Sequence, residues 1–316
     1  MKKIIIAVLC MLLMAGTLAG CGEKNKSEKN ANLSIVTTIF PEYDWVREIM
    51  GDEAENADIT MLMDSGVDLH SYQPTADDIG KISKCDLFIY AGGESDEWVE
   101  SLLETFDSGE INTLKMTDCV ELLGEEDIEG MRHSHDSHEE AHGENDEHVW
   151  TSPVNAVLIS EKIKDKLCSA DPQNKDKYTQ NFEEYKKELL SLDALYRKAL
   201  TPNDTIIVAD RFPFRYLEAE YGFKYYAAFP GCSTESDPSA ATIAFLDKKI
   251  KETGTTAVFY TEFSSQKVAD TLCEATGAKK LMLHSCHNVS KKDFENGVTY
   301  ITLMKQNLKN IEEALK

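Results

Sequence analysis

From Pro172 to Leu200 neither glycine nor a second proline interrupts the chain, and Tyr178, Phe182, Tyr185, Leu189, Leu192 and Tyr196 recur at steps of three and four. That spacing is the period of one apolar stripe on an α-helix. Asp171 reads as the N-cap and Pro172 as the first-turn proline. Residues 171–200 are therefore expected to form one rigid rod of roughly 40 Å at 1.5 Å per residue. An aromatic stripe of this length must be covered, either by a second copy in a coiled coil or by whatever flanks it in the same chain.

Both flanks show one plan. Before the rod, Leu33–Thr38, Ala57–Met63 and Asp86–Tyr90 are short β-branched or apolar runs that read as strands. Between them lie helical segments near Pro41–Met50 and Thr75–Ser83. After the rod, the strands Thr205–Ala209, Lys224–Ala228, Ala257–Tyr260 and Lys280–Leu283 alternate with helices at Pro213–Tyr221, Pro238–Thr253, Gln266–Thr276 and Phe294–Leu315. Alternating strand and helix is the pattern of a parallel α/β sheet. The expected fold class is α/β: two similar lobes with parallel sheets, residues 33–170 and 201–316, bridged by the helix 171–200. With a lobe on each side, intramolecular packing of the stripe is favoured over a coiled coil, and the chain is expected to be a monomer.

The first residues, Met1-Lys2-Lys3 and an apolar run to Gly16, have the layout of a secretory signal over 1–20. Leu18-Ala19-Gly20-Cys21 resembles a lipobox, in which Cys21 takes a lipid and becomes the new N-terminus. Residues 21–32 are polar and aperiodic, as expected of a flexible tether. Lipid chains of this kind anchor a protein to a membrane without making it span. The chain is thus expected outside the cytoplasm, held at the cell membrane.

A net charge of −23 argues against nucleic acid as a partner, because phosphate binding needs basic patches. Of the eight cysteines, Cys10 leaves with the signal and Cys21 is lipidated. Cys232, after a strand of the second lobe, and Cys286, after its last strand, are expected at one sheet edge. A disulfide pinning the 284–287 loop is the favoured reading there, with Cys286 as a thiolate ligand as the rival.

The eight histidines are unevenly placed. His133, His135, His138 and His142 lie among acids in the loop 131–147, an adaptable accessory surface for collecting metal. His148 follows in Asp146-Glu147-His148-Val149-Trp150, where the chain re-enters folded structure. His70 lies in Gly66-Val67-Asp68-Leu69-His70-Ser71-Tyr72-Gln73-Pro74, and His284 and His287 in Leu283-His284-Ser285-Cys286-His287. Each is expected in a loop at the carboxyl edge of a sheet, where ligands bind in open α/β folds. A lone histidine there is more often structural; imidazoles converging from three loops point to a metal, zinc above all.

These motifs resemble those of the metal-specific solute-binding lipoproteins of zinc and manganese ABC importers. Gly66–Thr75 is similar to the family's G-x-D-P-H-x-Y-x-P-T, with Leu69 in place of the proline. Asp146–Pro153 is similar to D-P-H-V-W-L-S-P, and a His/acid-rich loop commonly precedes that motif in zinc members. The resemblance implies two α/β lobes with metal in the cleft between them, delivered to a membrane permease. It also exposes a departure. Counting back from Tyr221-Gly222, the family's third ligand falls on Arg211, whose guanidinium stays protonated and cannot bind metal. The fourth, often Asp, falls on His284. The ligands implied are therefore His70, His148 and His284, with the remaining position open among His287, Asp210, Glu262 and water. Three imidazoles favour Zn²⁺ over Mn²⁺, while copper and nickel accept imidazole too.

Capture and delivery without catalysis is the leading function. A zinc-dependent surface hydrolase is the alternative. An adhesin with a structural metal is the third reading.

Overall fold

The computed structural model describes residues 32–316 apart from 64, 108–110, 127, 132–144 and 234–236. The signal segment, Cys21, most of the tether and the accessory histidines 133, 135, 138 and 142 lie outside the described residues. Among the described residues, no helix is long and apolar enough to cross a membrane.

The first lobe runs β1 (Ser34–Thr37), α1 (Phe40–Met50), β2 (Asp58–Met61), α2 (Ala76–Ile82), β3 (Leu87–Tyr90), α3 (Glu97–Leu103) and β4 (Thr113–Lys115). Two long helices follow, α4 (Pro153–Ala170) and α5 (Lys175–Ala199). The second lobe runs β5 (Thr205–Phe212), α6 (Arg215–Tyr221), β6 (Lys224–Pro230), α7 (Ala240–Thr253), β7 (Ala257–Tyr260), α8 (Lys267–Thr276), β8 (Lys279–Met282), α9 (Lys291–Glu295) and α10 (Tyr300–Ala314).

Each sheet has four parallel strands, in the order β2-β1-β3-β4 and β6-β5-β7-β8. The two orders are the same order, so the lobes share a topology as well as a composition. Leu87–Tyr90 is buried at every position, as a parallel strand covered on both faces requires. In such a sheet all strands end at one edge, and the loops leaving that edge carry the histidines.

The rod is 25 residues of α-helix, about 37 Å long. Its stripe from Tyr178 to Tyr196 is buried at all six positions. The cover is intramolecular: α5 packs on α4 and α1 from one side of the chain and on α10 from the other. One apolar core therefore runs through both lobes, with a smaller cluster on the far face of each sheet. The rod begins differently from the sequence expectation. Pro172–Asn174 is a separate 3₁₀ turn, and Asp171 does not cap it by side chain. Its Oδ2 instead accepts from Tyr178 Oη and Asn174 Nδ2, both at 2.7 Å.

The last expected helix is also divided. Gly297, at φ 70°, turns the chain between α9 and α10, a left-handed conformation that glycine adopts without steric cost.

The lobes are joined by buried polar contacts as well as by the core. Tyr300 Oη donates to the Trp150 carbonyl at 2.6 Å, Tyr300 N to Asp44 Oδ2 at 2.8 Å, and Trp150 Nε1 to the Ser285 carbonyl at 2.8 Å. Phe40 N donates to the His287 carbonyl at 2.9 Å, and Asn288 Nδ2 to the Val67 carbonyl at 2.9 Å. These bonds fix the loop after β8 against the first lobe.

Candidate metal centre

His70 sits in a 3₁₀ turn, Leu69–Ser71, capped by Asp68, whose Oδ1 accepts from His70 N at 3.1 Å. His148 is set by an antiparallel bridge between Gly124 and Asn145 and by Asp146 N donating to the Leu123 carbonyl at 2.8 Å. The 3₁₀ turn Val149–Thr151 and the Ser152 cap of α4 follow at once. His284 and His287 lie beyond β8, in a loop where Cys286 takes φ 68°. That left-handed residue turns the two imidazoles into different surroundings.

The hydrogen-bond network assigns a tautomer to each ring. At His148, Nδ1 lies 3.0 Å from Asp146 Oδ1, so Nδ1–H donates to the carboxylate. At His70, Nδ1 lies 3.0 Å from Ser95 Oγ, and the Ser95 hydroxyl donates onward to Glu147 Oε1. The serine proton is spent, so His70 Nδ1 is the donor. At His287 the same relay recurs: Nδ1 meets Ser285 Oγ, which donates to Glu262 Oε1. Each of these rings therefore keeps its lone pair on Nε2. Carboxylate behind the ring, directly or through a hydroxyl, is how proteins orient a metal-binding imidazole and raise its basicity. His287 Nε2 is buried and has no hydrogen-bond partner among the described residues, an expensive condition for a polar atom unless something else fills the position.

His284 has the opposite tautomer. Its Nδ1 accepts from Cys286 N at 3.0 Å, which places the proton of the neutral ring on Nε2. Its backbone is held by Asn307, which accepts from His284 N and donates to its carbonyl, both at 2.7 Å. With one nitrogen accepting and the other protonated, this ring offers no lone pair. His287, and not His284, is the ring of this loop that lines the cavity described next.

His70, His148 and His287 line one cavity with Asp68, Arg211, Glu262 and Ser285. Its volume is about 20 Å³, enough for roughly one water-sized occupant. A nitrogen of His70, a nitrogen of His148 and a Glu147 carboxylate oxygen lie within 4.8 Å of one another. The electrostatics keep two of the three rings neutral, while the third, His148, favours a proton that a bound ion must displace. Burial, then the neighbouring His148 and Arg211, push His70 down to about 2. Burial also lowers His287. At His148 burial opposes charge, yet Asp146 and Cys232 outweigh it and raise the ring well above its usual value. Burial likewise opposes ionisation of Glu262, but His284, His287 and Ser285 hold it below the usual carboxylate range. Neutral imidazole is the form that binds metal.

Of the other fourth-position candidates, Glu262 lines the cavity and Asp210 does not. Asp210 Oδ2 accepts from Thr261 Oγ1 and Oδ1 from Arg211 N. The expected disulfide is absent: Cys232 and Cys286 are both free thiols. Cys286 is fully buried, its thiol on the His284 carbonyl at 3.6 Å. Cys232 lies beside Asp146 and His148, and these three also have ligand atoms within 4.8 Å of one another. The two cysteines serve different neighbourhoods, although both follow strands of one sheet.

The chain matches, over residues 35–314, the family model described as zinc-uptake complex component A, periplasmic. It belongs to that family. It is 34% identical over 319 residues to the zinc-binding lipoprotein AdcA of Streptococcus pneumoniae, covering 99% of this chain and 61% of that longer protein. It is 33% identical over 311 residues to the high-affinity zinc uptake system protein ZnuA of Bacillus subtilis, covering 98% of this chain and 96% of that one. The crystal structure of the Zn(II)-bound ZnuA-like domain of S. pneumoniae AdcA superposes with a TM-score of 0.73 at 31% identity, over 90% of this chain and 98% of that chain.

The acids Asp146 and Glu147 and the serines Ser95 and Ser285, which stand behind the rings, have no role readable from sequence alone. Asp146-Glu147 directly before His148 marks the place of two of them but not what they do; Ser95 and Ser285 carry no pattern that marks them.

Proposed function

We propose that this chain captures a divalent metal ion, zinc, in the cleft between its lobes and delivers it to the permease of an ABC importer, catalysing no reaction. The observation that carries the reading is the trio of imidazoles whose Nδ1 atoms are each committed to a carboxylate or a serine–carboxylate relay, around an ion-sized cavity. The ligands are His70, His148 and His287, with Glu262 or water completing four-coordination, the number zinc favours. The names of the AdcA and ZnuA relatives support zinc as the cargo. Lipidation at Cys21 would hold the monomer at the cell membrane, beside the permease.

The test is calorimetry of zinc binding to residues 32–316 with loop 131–142 deleted. One tight site is expected, lost on alanine substitution of His70, His148 or His287. Absence of a tight zinc site in the unsubstituted protein, or a site indifferent to all three substitutions, would sink the reading.

A further inference from the structure

Arg211 stands where the family places a metal ligand, and the fold shows what it does instead. It lies near the end of β5, past the register shift between Val208 and Arg211. From the second lobe its guanidinium reaches a loop of the first. Nη2 donates to Asp68 Oδ2 at 2.6 Å and Nη1 to Asp68 Oδ1 at 3.3 Å, a two-pronged pair. Nη1 also reaches the Ser233 carbonyl at 3.4 Å. Both side chains are 22% exposed, so the pair is shielded more than a surface bridge. Planar two-point pairing of this kind is the geometry that arginine supplies and lysine does not.

Asp68 has a second task. The same Oδ1 that faces Arg211 accepts from His70 N. One carboxylate is thus shared between a cation of the second lobe and the backbone of a ligand residue in the first. We propose that Arg211 is a positioning residue that replaces a coordinating side chain with an ionic clamp: through Asp68 it holds His70 in place against His148. This rests on the cleft being the metal site. The clamp and the bare charge of Arg211 act in opposite directions. A cation beside the cavity repels a divalent ion, so removing it would tighten binding if charge were its only effect. A clamp removed leaves His70 free to wander, so binding weakens.

The experiment measures zinc affinity of the full chain, purified in detergent, by competition with a chromophoric chelator. It compares the wild type with Arg211→Met, Asp68→Asn, the double variant and Arg211→Lys, and records the melting temperature of each without metal. Each single substitution is expected to weaken zinc binding about tenfold or more. The double variant should be no worse than the weaker single one, because both remove the same link. Arg211→Lys, which keeps the charge, should recover part of the loss. Metal-free melting temperatures should stay within a few degrees. Unchanged or tighter binding by Arg211→Met would overturn the clamp, as would losses that simply add or that follow a collapse in melting temperature. A wild type without tight zinc binding would instead overturn the metal cleft itself, and the clamp with it.

Discussion

The residue-scale chemistry rests on which ring nitrogen is free. His287 and His284 are three positions apart and both nearly buried, yet their partners give them opposite tautomers. His287→Ala is therefore expected to weaken zinc binding at least a hundredfold, and His284→Ala less than tenfold, by chelator competition. Equal losses would contradict the assignment. The carboxylate behind His148 should matter almost as much as the ring. Asp146→Asn keeps the size and loses the charge, and a loss of about 10–100-fold in affinity is expected, as for other orienting partners of metal-bound imidazoles. His70 and His148 were legible in sequence because short motifs surround them. The choice between His284 and His287 was not, because it depends on a backbone N–H at Cys286 and on the left-handed turn there. The disulfide expectation failed for a related reason. Two loops at one sheet edge need not place their cysteines together: the Cys286 thiol meets the His284 carbonyl of its own loop, whereas Cys232 lies beside Asp146 and His148.

At the scale of elements, the strands were legible because parallel strands covered on both faces become short unbroken apolar runs. The edge strand β4, three residues long and half-buried, was not. Nor was α4, whose buried positions Ala156, Val157, Ile159, Ser160, Ile163 and Leu167 include small and polar residues that blur the stripe. The α5 stripe admits no such ambiguity. Leu192 is fully buried in the core shared by both lobes. Leu192→Ala is expected to cost about 2–5 kcal/mol in urea denaturation. A second element-scale test concerns Asp44 on α1. Burial raises its carboxyl to about 7, against the help of the Tyr300 N–H. The folded state thus holds a proton that the unfolded chain releases near pH 4. The resulting stabilisation is complete below about pH 4 and is lost as pH rises through about 7. Its ceiling is about 4 kcal/mol. Wild type should lose more stability between pH 4 and 7 than Asp44→Asn, measured by urea denaturation. Parallel pH profiles would show that Asp44 is not the source.

For the whole molecule, the expected plan of two lobes and a bridging helix describes the sheets well but understates their union. The lobes share a core through α5, and Tyr300, Trp150, Phe40 and Asn288 bond across the boundary. None of these contacts has a local sequence signature, because each joins residues more than a hundred positions apart. Loaded and metal-free forms are therefore expected to differ little in shape, with radii of gyration by X-ray scattering agreeing within about 1 Å. Metal should raise the melting temperature in proportion to the logarithm of its free concentration, as binding to the folded state alone requires.

The central claim is that three imidazoles from three loops hold the ion. X-ray absorption of the zinc-loaded chain, with loop 131–142 deleted, tests it most directly. The expected first shell is nitrogen and oxygen at about 2.0–2.1 Å, with the multiple-scattering signature of three imidazoles that falls to two in His287→Ala. A sulfur at about 2.3 Å would place the ion on the Asp146–His148–Cys232 group instead, and would contradict the account.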